Sequence, residues 1–113
     1  MGELIVLNKD ADTVQYIDTD TGESLATVDT DFNPHEVALS PDDETAYVTC
    51  SLGDSLLFLD NETREVRDRF EHELFDFPHG LAVRESAGEL WLVSTYSSQV
   101  FVFDIETEAL LET

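Results

Sequence analysis

The sequence predicts an all-β fold made of β-propeller blades, each a sheet of four antiparallel strands. Three segments align without a gap: IVLNKDADTVQYID, YVTCSLGDSLLFLD and WLVSTYSSQVFVFD. They end at Asp18, Asp60 and Asp104, which lie 42 and 44 residues apart. A period in the low forties, built from short apolar runs, is typical of propeller blades.

A second observation is that the runs LLFL and VFVF are apolar at consecutive positions. A strand with one solvated face alternates apolar and polar residues. These runs therefore predict strands covered on both faces, as in a blade packed between two neighbours, with Leu57 and Phe101 buried. The first repeat has Thr13 and Gln15 in the corresponding strand, so we expect its outer face to be less completely covered.

The repeats divide into four strands each, in chain order. The first strand is predicted at residues 36–40 and 80–84, and the second at residues 4–8, 46–50 and 90–95. The third is predicted at residues 13–17, 55–59 and 99–103, and the fourth at residues 23–29, 65–70 and 109–112. Segments rich in Asp, Ser, Gly and Pro separate them, as turns require.

Residues 1–113 are predicted to form one partial propeller domain, with blade boundaries near residues 1–33, 34–77 and 78–113. Eleven strands at four per blade make about 2.75 blades, whereas closed propellers have about four to eight. Because a blade cannot bury its apolar faces alone, we expect an incomplete ring. A longer gene or self-association of chains is expected to supply the missing blades.

The charge is extreme, with 26 Asp and Glu against 5 Lys and Arg and a net charge of −21. Scattered carboxylates with a single lysine indicate a surface adapted to molar salt, where the Debye length is only about 3 Å. The alternative interpretation is a surface for basic partners or cations. Nucleic-acid binding is disfavoured because it needs a basic patch. Three of the arginines, Arg64, Arg67 and Arg69, are expected to pair with acidic neighbours in their own segment.

No apolar run approaches the roughly 20 residues that a membrane-spanning helix needs, so no membrane span is predicted. No secretory signal is visible before Leu4, which favours a cytoplasmic location if Met1 is the natural start. The single cysteine, Cys50, excludes an intrachain disulfide. We expect it to be a small, partly buried thiol without catalytic function.

Two segments carry a family resemblance. PHEVALSPD at residues 34–42, followed by AYVT at residues 46–49, and SLLFLDNET at residues 55–63 resemble the YVTN-type β-propeller repeat. The third repeat departs from the pattern, with WLVS in place of YVTN. The resemblance covers nearly the whole chain and implies the propeller fold. Its known members include surface-layer proteins, binding scaffolds and a few enzyme subunits, so it implies little about chemistry.

The best candidates for binding are His35 and His79, which take equivalent positions before the first strand of their repeats. In proteins with this repeat, that strand lines the central channel, so a ring of imidazoles could hold a metal ion. With the neighbouring Glu36 and Arg84, the two histidines form the candidate ligand-binding set. The structural alternative is that each histidine hydrogen-bonds a neighbouring loop. The third histidine, His72, is expected to be exposed.

Two other motifs have a functional and a structural interpretation. The segment DTDTGE at residues 18–23 resembles a calcium loop but lacks the spacing of an EF-hand, and a turn capped by the Asp18 side chain explains it. The sequon Asn61-Glu62-Thr63 lies in the equivalent turn and matters for glycosylation only in an exported protein.

The function that the sequence favours is a non-enzymatic scaffold that binds a protein or a small ligand. The alternative is a piece of a propeller enzyme resembling metal-dependent lactonases. No catalytic residue and no cofactor is assigned. The chain has no G-x-S-x-G motif and no glycine-rich phosphate loop, and its Cys50 has no histidine close in sequence.

Overall fold

The computed structural model describes residues 2–113, which form eleven β-strands and one short 3-10 helix, Glu85–Ala87. In chain order the strands are β1 (Glu3–Asn8), β2 (Thr13–Asp18), β3 (Ser24–Asp29), β4 (Pro34–Leu39), β5 (Thr45–Cys50), β6 (Ser55–Asp60), β7 (Glu65–Glu71), β8 (Pro78–Arg84), β9 (Glu89–Ser94), β10 (Gln99–Asp104) and β11 (Leu110–Glu112). The four-strand repeat read from the sequence is confirmed, and β4 and β8 each begin two residues earlier than predicted.

The strands form three sheets in which every strand pairs antiparallel with its neighbour in sequence. The first sheet has the order β1-β2-β3, the second β4-β5-β6-β7 and the third β8-β9-β10-β11. The sheets do not close into a ring. The predicted all-β fold of blade-like sheets with an incomplete ring is therefore confirmed. We call β4 and β8, the first strands of their sheets, the inner strands.

Two layers of apolar side chains hold the sheets face to face. Between the second and third sheets, the buried cluster consists of Tyr47, Leu56, Phe58, Phe75, Leu90, Leu92, Phe101 and Phe103. Between the first and second sheets, it consists of Val14, Tyr16, Ala46, Val48, Cys50, Leu57 and Leu59. The LLFL strand, β6, is thus covered on both faces, as its sequence predicts. Leu57 and Phe101 are both buried.

The turns between the third and fourth strands share one construction. Asp18 Oδ1 accepts a hydrogen bond of 2.8 Å from the Asp20 amide, and Asp60 and Asp104 do the same two residues on. Each turn then needs one left-handed residue, which is Gly22 in the first repeat but Arg64 and Glu108 in the others. The interpretation of DTDTGE as a capped turn is confirmed.

Arginine side chains of the second sheet bridge to the other two sheets. Arg64 Nη2 lies 2.8 Å from Glu3 Oε2 of β1, and Arg67 Nη2 lies 2.6 Å from Glu108 Oε2. Arg69 pairs locally with Glu71 and also with Asp31, which precedes β4. The expectation of local pairing is therefore wrong for Arg64 and Arg67. Arg64 lies in the turn before β7 and Arg67 lies within β7, and from both positions the side chain reaches the adjacent sheet.

Candidate functional site

Both inner strands carry a β-bulge at their histidine. In β4 the register with β5 shifts between Pro34 and Glu36, so that His35 is the extra residue. In β8 the register with β9 shifts between Pro78 and Leu81, a stretch that contains His79. A bulge re-aims the side chain of the inserted residue, and bulges are enriched beside functional sites. Each histidine therefore lies in an irregular stretch near the start of its inner strand.

Side chains of the second sheet fix the start of β8. Thr49 Oγ1 donates a hydrogen bond of 2.8 Å to the carbonyl oxygen of His79. Ser51 Oγ donates one of 2.7 Å to the carbonyl oxygen of Pro78. Because both donors belong to the sheet that contains His35, these bonds hold the bulge of β8 beside the bulge of β4.

The two histidines and Glu36 converge at this place, which we call the histidine cluster (His35, Glu36 and His79). The ring centroids of His35 and His79 are 4.0 Å apart, with the ring planes tilted by 52°. Glu36 Oε2 lies 3.8 Å from His79 Nδ1. One nitrogen or oxygen of each residue lies within 4.8 Å of the other two. The structure thus places these two equivalent histidines of adjacent blades side by side.

His35 has an unusual environment within the cluster. Its Nδ1 is buried and makes no hydrogen bond to any residue of the described range 2–113. Leaving a buried polar group unpaired costs about 1–3 kcal/mol. The structural alternative, in which each histidine bonds a neighbouring loop, does not account for this nitrogen. An orphaned ring nitrogen beside a second imidazole and a carboxylate is suited to receiving a ligand.

Aromatic rings close one side of the cluster. The ring of Phe77 stacks on that of His79 at a centroid distance of 6.0 Å and lies 6.2 Å from that of His35. Tyr96 continues the wall, 4.9 Å from Phe77. Neither residue was predicted for this site. The available signal in the sequence was an aromatic residue directly before Pro78-His79. The structure places Phe77 in the left-handed region (φ 58°).

A family model of YNCE-like β-propellers matches residues 2–106 of the chain. The chain belongs to the YNCE-like β-propeller family. The predicted membership of a propeller repeat family is thereby confirmed, while the narrower YVTN-type assignment stays a prediction. No curated protein matches the sequence.

Solved structures share the fold at low sequence identity. Hydrazine synthase from Kuenenia stuttgartiensis superposes with a TM-score of 0.87 at 18% identity, over 97% of this chain and 31% of that one. Dihydro-heme d1 dehydrogenase NirN superposes with a TM-score of 0.85 at 17% identity, over 96% of this chain and 24% of that one. The RRP9 WD40 repeats superpose with a TM-score of 0.83 at 16% identity, over 97% of this chain and 34% of that one. This YNCE-like chain thus spans about a third or less of the chains that it resembles.

Arg84, the remaining member of the candidate ligand-binding set, lies elsewhere in the YNCE-like chain. Arg84 is five residues beyond His79 along β8, about 16 Å away at the rise of a strand. Its exposed side chain lies 3.6 Å from Glu89, so the structure does not bring Arg84 to the cluster. The expected exposure of His72 is wrong: it is half-buried, with its ring 5.0 Å from that of Phe101.

Asn61 and Cys50, which the sequence singled out, contribute to hydrogen bonding and packing between the sheets. Asn61, the sequon residue, accepts a hydrogen bond of 2.8 Å from the Tyr16 hydroxyl and donates one of 2.9 Å to the Asp43 carbonyl. This joins the first and second sheets. Cys50 is fully rather than partly buried, and burial raises the pKa of its thiol to about 11. A thiol with such a pKa is a poor nucleophile.

The histidine cluster opens toward one end of the sheets, which we call the loop face. The loop face carries the connections at residues 30–33 and 72–77 and the turns at residues 51–54 and 95–98. Among the described residues, four large apolar side chains are exposed there, with exposed fractions of 66% for Phe32, 66% for Leu52, 42% for Leu74 and 69% for Tyr96. Leu52 and Tyr96 occupy equivalent positions, 44 residues apart.

Close packing holds the loops of this face together. A Cβ added at Gly53 would lie 2.9 Å from Asp31 Cβ and 3.0 Å from the Phe32 amide nitrogen. Phe77 N donates a hydrogen bond of 3.1 Å to Asp54 Oδ1, which links the loops of the second and third sheets. The protruding side chains therefore stand on loops with fixed positions, as a preformed binding surface requires.

The opposite end of the sheets has two grooves related by the repeat. The first, of about 660 Å³, lies between the first and second sheets beside Tyr16, Asn61 and Arg64. The second, of about 650 Å³, lies between the second and third sheets beside Tyr47 and Arg67. Both grooves are open and are crossed by the ion pairs of Arg64 and Arg67. Within residues 2–113, no helix is long and apolar enough to span a membrane.

Proposed function

We propose that these blades belong to a non-enzymatic propeller scaffold that binds a partner protein on its loop face. The observation that carries this proposal is the exposure of Phe32, Leu52 and Tyr96 at one end of the sheets. Exposed apolar side chains rimmed by polar residues mark interaction sites. Aromatic anchors of this kind supply most of the binding energy of protein interfaces.

The charge of the chain specifies the chemistry of the partner. The net charge is −21, and the loop face includes the carboxylates of Asp31, Asp54 and Asp76. Complementary charge favours encounter with a basic partner and disfavours an acidic one. We therefore expect a segment that combines Lys or Arg with an apolar or aromatic anchor. The similarity to solved propellers supports the fold, whereas the exposed side chains and charge of this surface support the function.

A displayed library of random peptides tests the proposal without a known partner. Peptides selected on the wild-type chain are expected to be rich in Lys, Arg and aromatic residues. The triple variant Phe32→Ser, Leu52→Ser, Tyr96→Ser should bind them at least about tenfold more weakly. The control variant Leu25→Ser, Leu39→Ser changes exposed apolar residues at strand ends away from the loop face and should leave affinity unchanged. An equal loss of peptide affinity in both variants, or no loss in the triple variant, would contradict the proposal.

The second candidate function is that of a metal-dependent propeller enzyme resembling lactonases. The observation that favours it is the composition of the histidine cluster, because catalytic zinc sites have three protein ligands and keep one open position. Hydrolysis of a simple lactone, measured with and without added Zn²⁺, tests it. Activity that requires Zn²⁺ and disappears in His35→Ala would replace the scaffold proposal by the enzyme.

A further inference from the structure

We propose that His35, Glu36 and His79 bind a divalent transition-metal ion of the Zn²⁺ type between the two inner strands. The three residues come from two adjacent sheets, and one donor atom of each lies within 4.8 Å of the others. The second candidate function uses the same cluster, but binding of the ion requires neither hydrolysis nor a partner on the loop face, so each of these can fail separately.

The distances suit a site that tightens on metal binding. Zn–N bonds are about 2.0–2.1 Å long, so two ligand atoms at a tetrahedral angle lie about 3.3 Å apart. Glu36 Oε2 and His79 Nδ1 are already 3.8 Å apart. The side chains of these two residues are 42% and 34% exposed, which leaves them free to rotate by the small amount required. The backbone beneath them is fixed by the bulges and by the Thr49 and Ser51 hydrogen bonds.

The donor atoms select the kind of metal. Two imidazoles and one carboxylate suit Zn²⁺ and neighbouring transition ions, whereas Ca²⁺ and Mg²⁺ prefer sites made only of oxygen ligands. The many other carboxylates of the chain offer oxygen alone. A transition ion therefore distinguishes the histidine cluster from the rest of the acidic surface, and Mg²⁺ in excess occupies the surface without filling the cluster.

The buried nitrogen of His35 is an independent observation that points to a ligand. Among residues 2–113, it is a buried side-chain nitrogen without a hydrogen-bond partner. The ring of Phe77 lies beside those of His35 and His79, with centroids 6.2 and 6.0 Å away. Three protein ligands leave one coordination position for water or for a group of a bound molecule.

Isothermal titration with Zn²⁺, on protein freed of metal by a chelator and in excess Mg²⁺, tests the site. We expect one ion per chain in the wild type. His35→Ala and His79→Ala should each raise the Kd at least about tenfold, since even residues that only support metal ligands cost 10–100-fold. His72→Ala is the matched control, because His72 lies outside the cluster, and should bind as the wild type does.

Glu36→Gln provides a variant that keeps the size of the side chain, so that a failure of the alanine variants to fold leaves the proposal testable. It should retain the wild-type circular dichroism spectrum and still bind Zn²⁺ more weakly. Three outcomes would overturn the proposal: no Zn²⁺ binding, binding displaced by Mg²⁺, or a Kd unaffected by Glu36→Gln and by the double variant His35→Ala, His79→Ala.

Discussion

The guanidinium group of Arg67 donates two hydrogen bonds to the carboxylate of Glu108, from Nη1 to Oε1 at 2.8 Å and from Nη2 to Oε2 at 2.6 Å. This bidentate pair joins β7 of the second sheet to the turn before β11 of the third. Glu108 occupies the left-handed position of its turn (φ 62°), which directs its side chain toward the preceding sheet. Arg64 occupies the same position one repeat earlier and pairs with Glu3 of the first sheet.

A double-mutant cycle on Arg67→Ala and Glu108→Ala should give a coupling free energy of about 0.5–1 kcal/mol at low salt. Exposed ion pairs are typically worth about 0.2–1 kcal/mol, and the bidentate geometry places this pair in the upper part of that range. The coupling should fall in molar KCl because of screening. Arg84 and Glu89, 3.6 Å apart with Arg84 exposed, form the control pair and should show almost no coupling. A coupling free energy that does not change with salt would contradict an ion pair between Arg67 and Glu108.

Removal of a buried ring tests the packing between sheets. Phe101 is fully buried in the layer between the second and third sheets, so Phe101→Ala should lower the free energy of unfolding by about 3–5 kcal/mol. The adjacent Val100 faces away from that layer and is exposed, so Val100→Ala should change it by about 0.5 kcal/mol or less. Urea denaturation of both variants measures the difference. Similar losses in both would mean that the faces of β10 are assigned wrongly.

The buried thiol of Cys50 makes stability fall at alkaline pH. Burial raises the pKa of Cys50 from 9.0 to about 11. The folded state therefore keeps a proton that the unfolded state releases, and stability present below pH 9 is lost as the pH rises to about 11. Two units of pKa correspond to roughly 2–3 kcal/mol. Urea denaturation of Cys50→Ala should show a shallower loss across this window.

The buried tyrosines are the internal reference for that experiment. Burial raises the pKa of Tyr16 and of Tyr47 to about 12, and both residues are present in the wild type and in Cys50→Ala. The difference between the two proteins from pH 9 to 11 therefore isolates the thiol. Parallel curves for the two proteins would show that Cys50 is ionised as easily in the folded state as in the unfolded state.

The outer face of the third sheet exposes apolar side chains whose repeat equivalents are buried. Trp91, Val93 and Val100 have exposed fractions of 39%, 45% and 41%, whereas Tyr47 and Leu56, the equivalents of Trp91 and Val100, are buried against the next sheet. We therefore propose that another blade covers this face, from further sequence or from a second copy. The chain should associate as its concentration rises in molar KCl, where charge repulsion is screened.

Light scattering measures that association. The double variant Val93→Asp, Val100→Asp should stay monomeric, because it places carboxylates on the face that pairs. Leu39→Asp, at an exposed strand end away from this face, is the control and should associate as the wild type does. A monomeric wild type at high protein concentration in molar KCl would contradict a role for this face in association.

Much of the fold could be predicted from the sequence because the aligned repeats show where the strands and turns of each sheet begin and end. The alignment of Asp18, Asp60 and Asp104 placed the turns, and the equivalence of His35 and His79 placed the two histidines on corresponding strands. Contacts between sheets could not be read in this way. The bridge from Arg64 to Glu3, the burial of His72 and the aromatic wall of Phe77 depend on how one sheet twists against the next, which residue order alone does not specify.

The sequence also predicted properties that stay predictions. Adaptation to high salt rests on the net charge of −21, and a melting temperature that rises steeply between dilute buffer and molar KCl would support it. The cytoplasmic location is likewise a proposal. Neither bears on the position of the histidine cluster, which follows from the two β-bulges.

The most direct measurement on the histidine cluster is a ¹H–¹⁵N spectrum of the imidazole side chains during addition of Zn²⁺. We predict that the resonances of His35 and His79 shift together and that the change is complete at one equivalent of Zn²⁺, while the resonances of His72 stay in place. This result requires the two inner strands to present one common site. Shifts confined to His72, or equal shifts in all three histidines that continue beyond one equivalent, would contradict it.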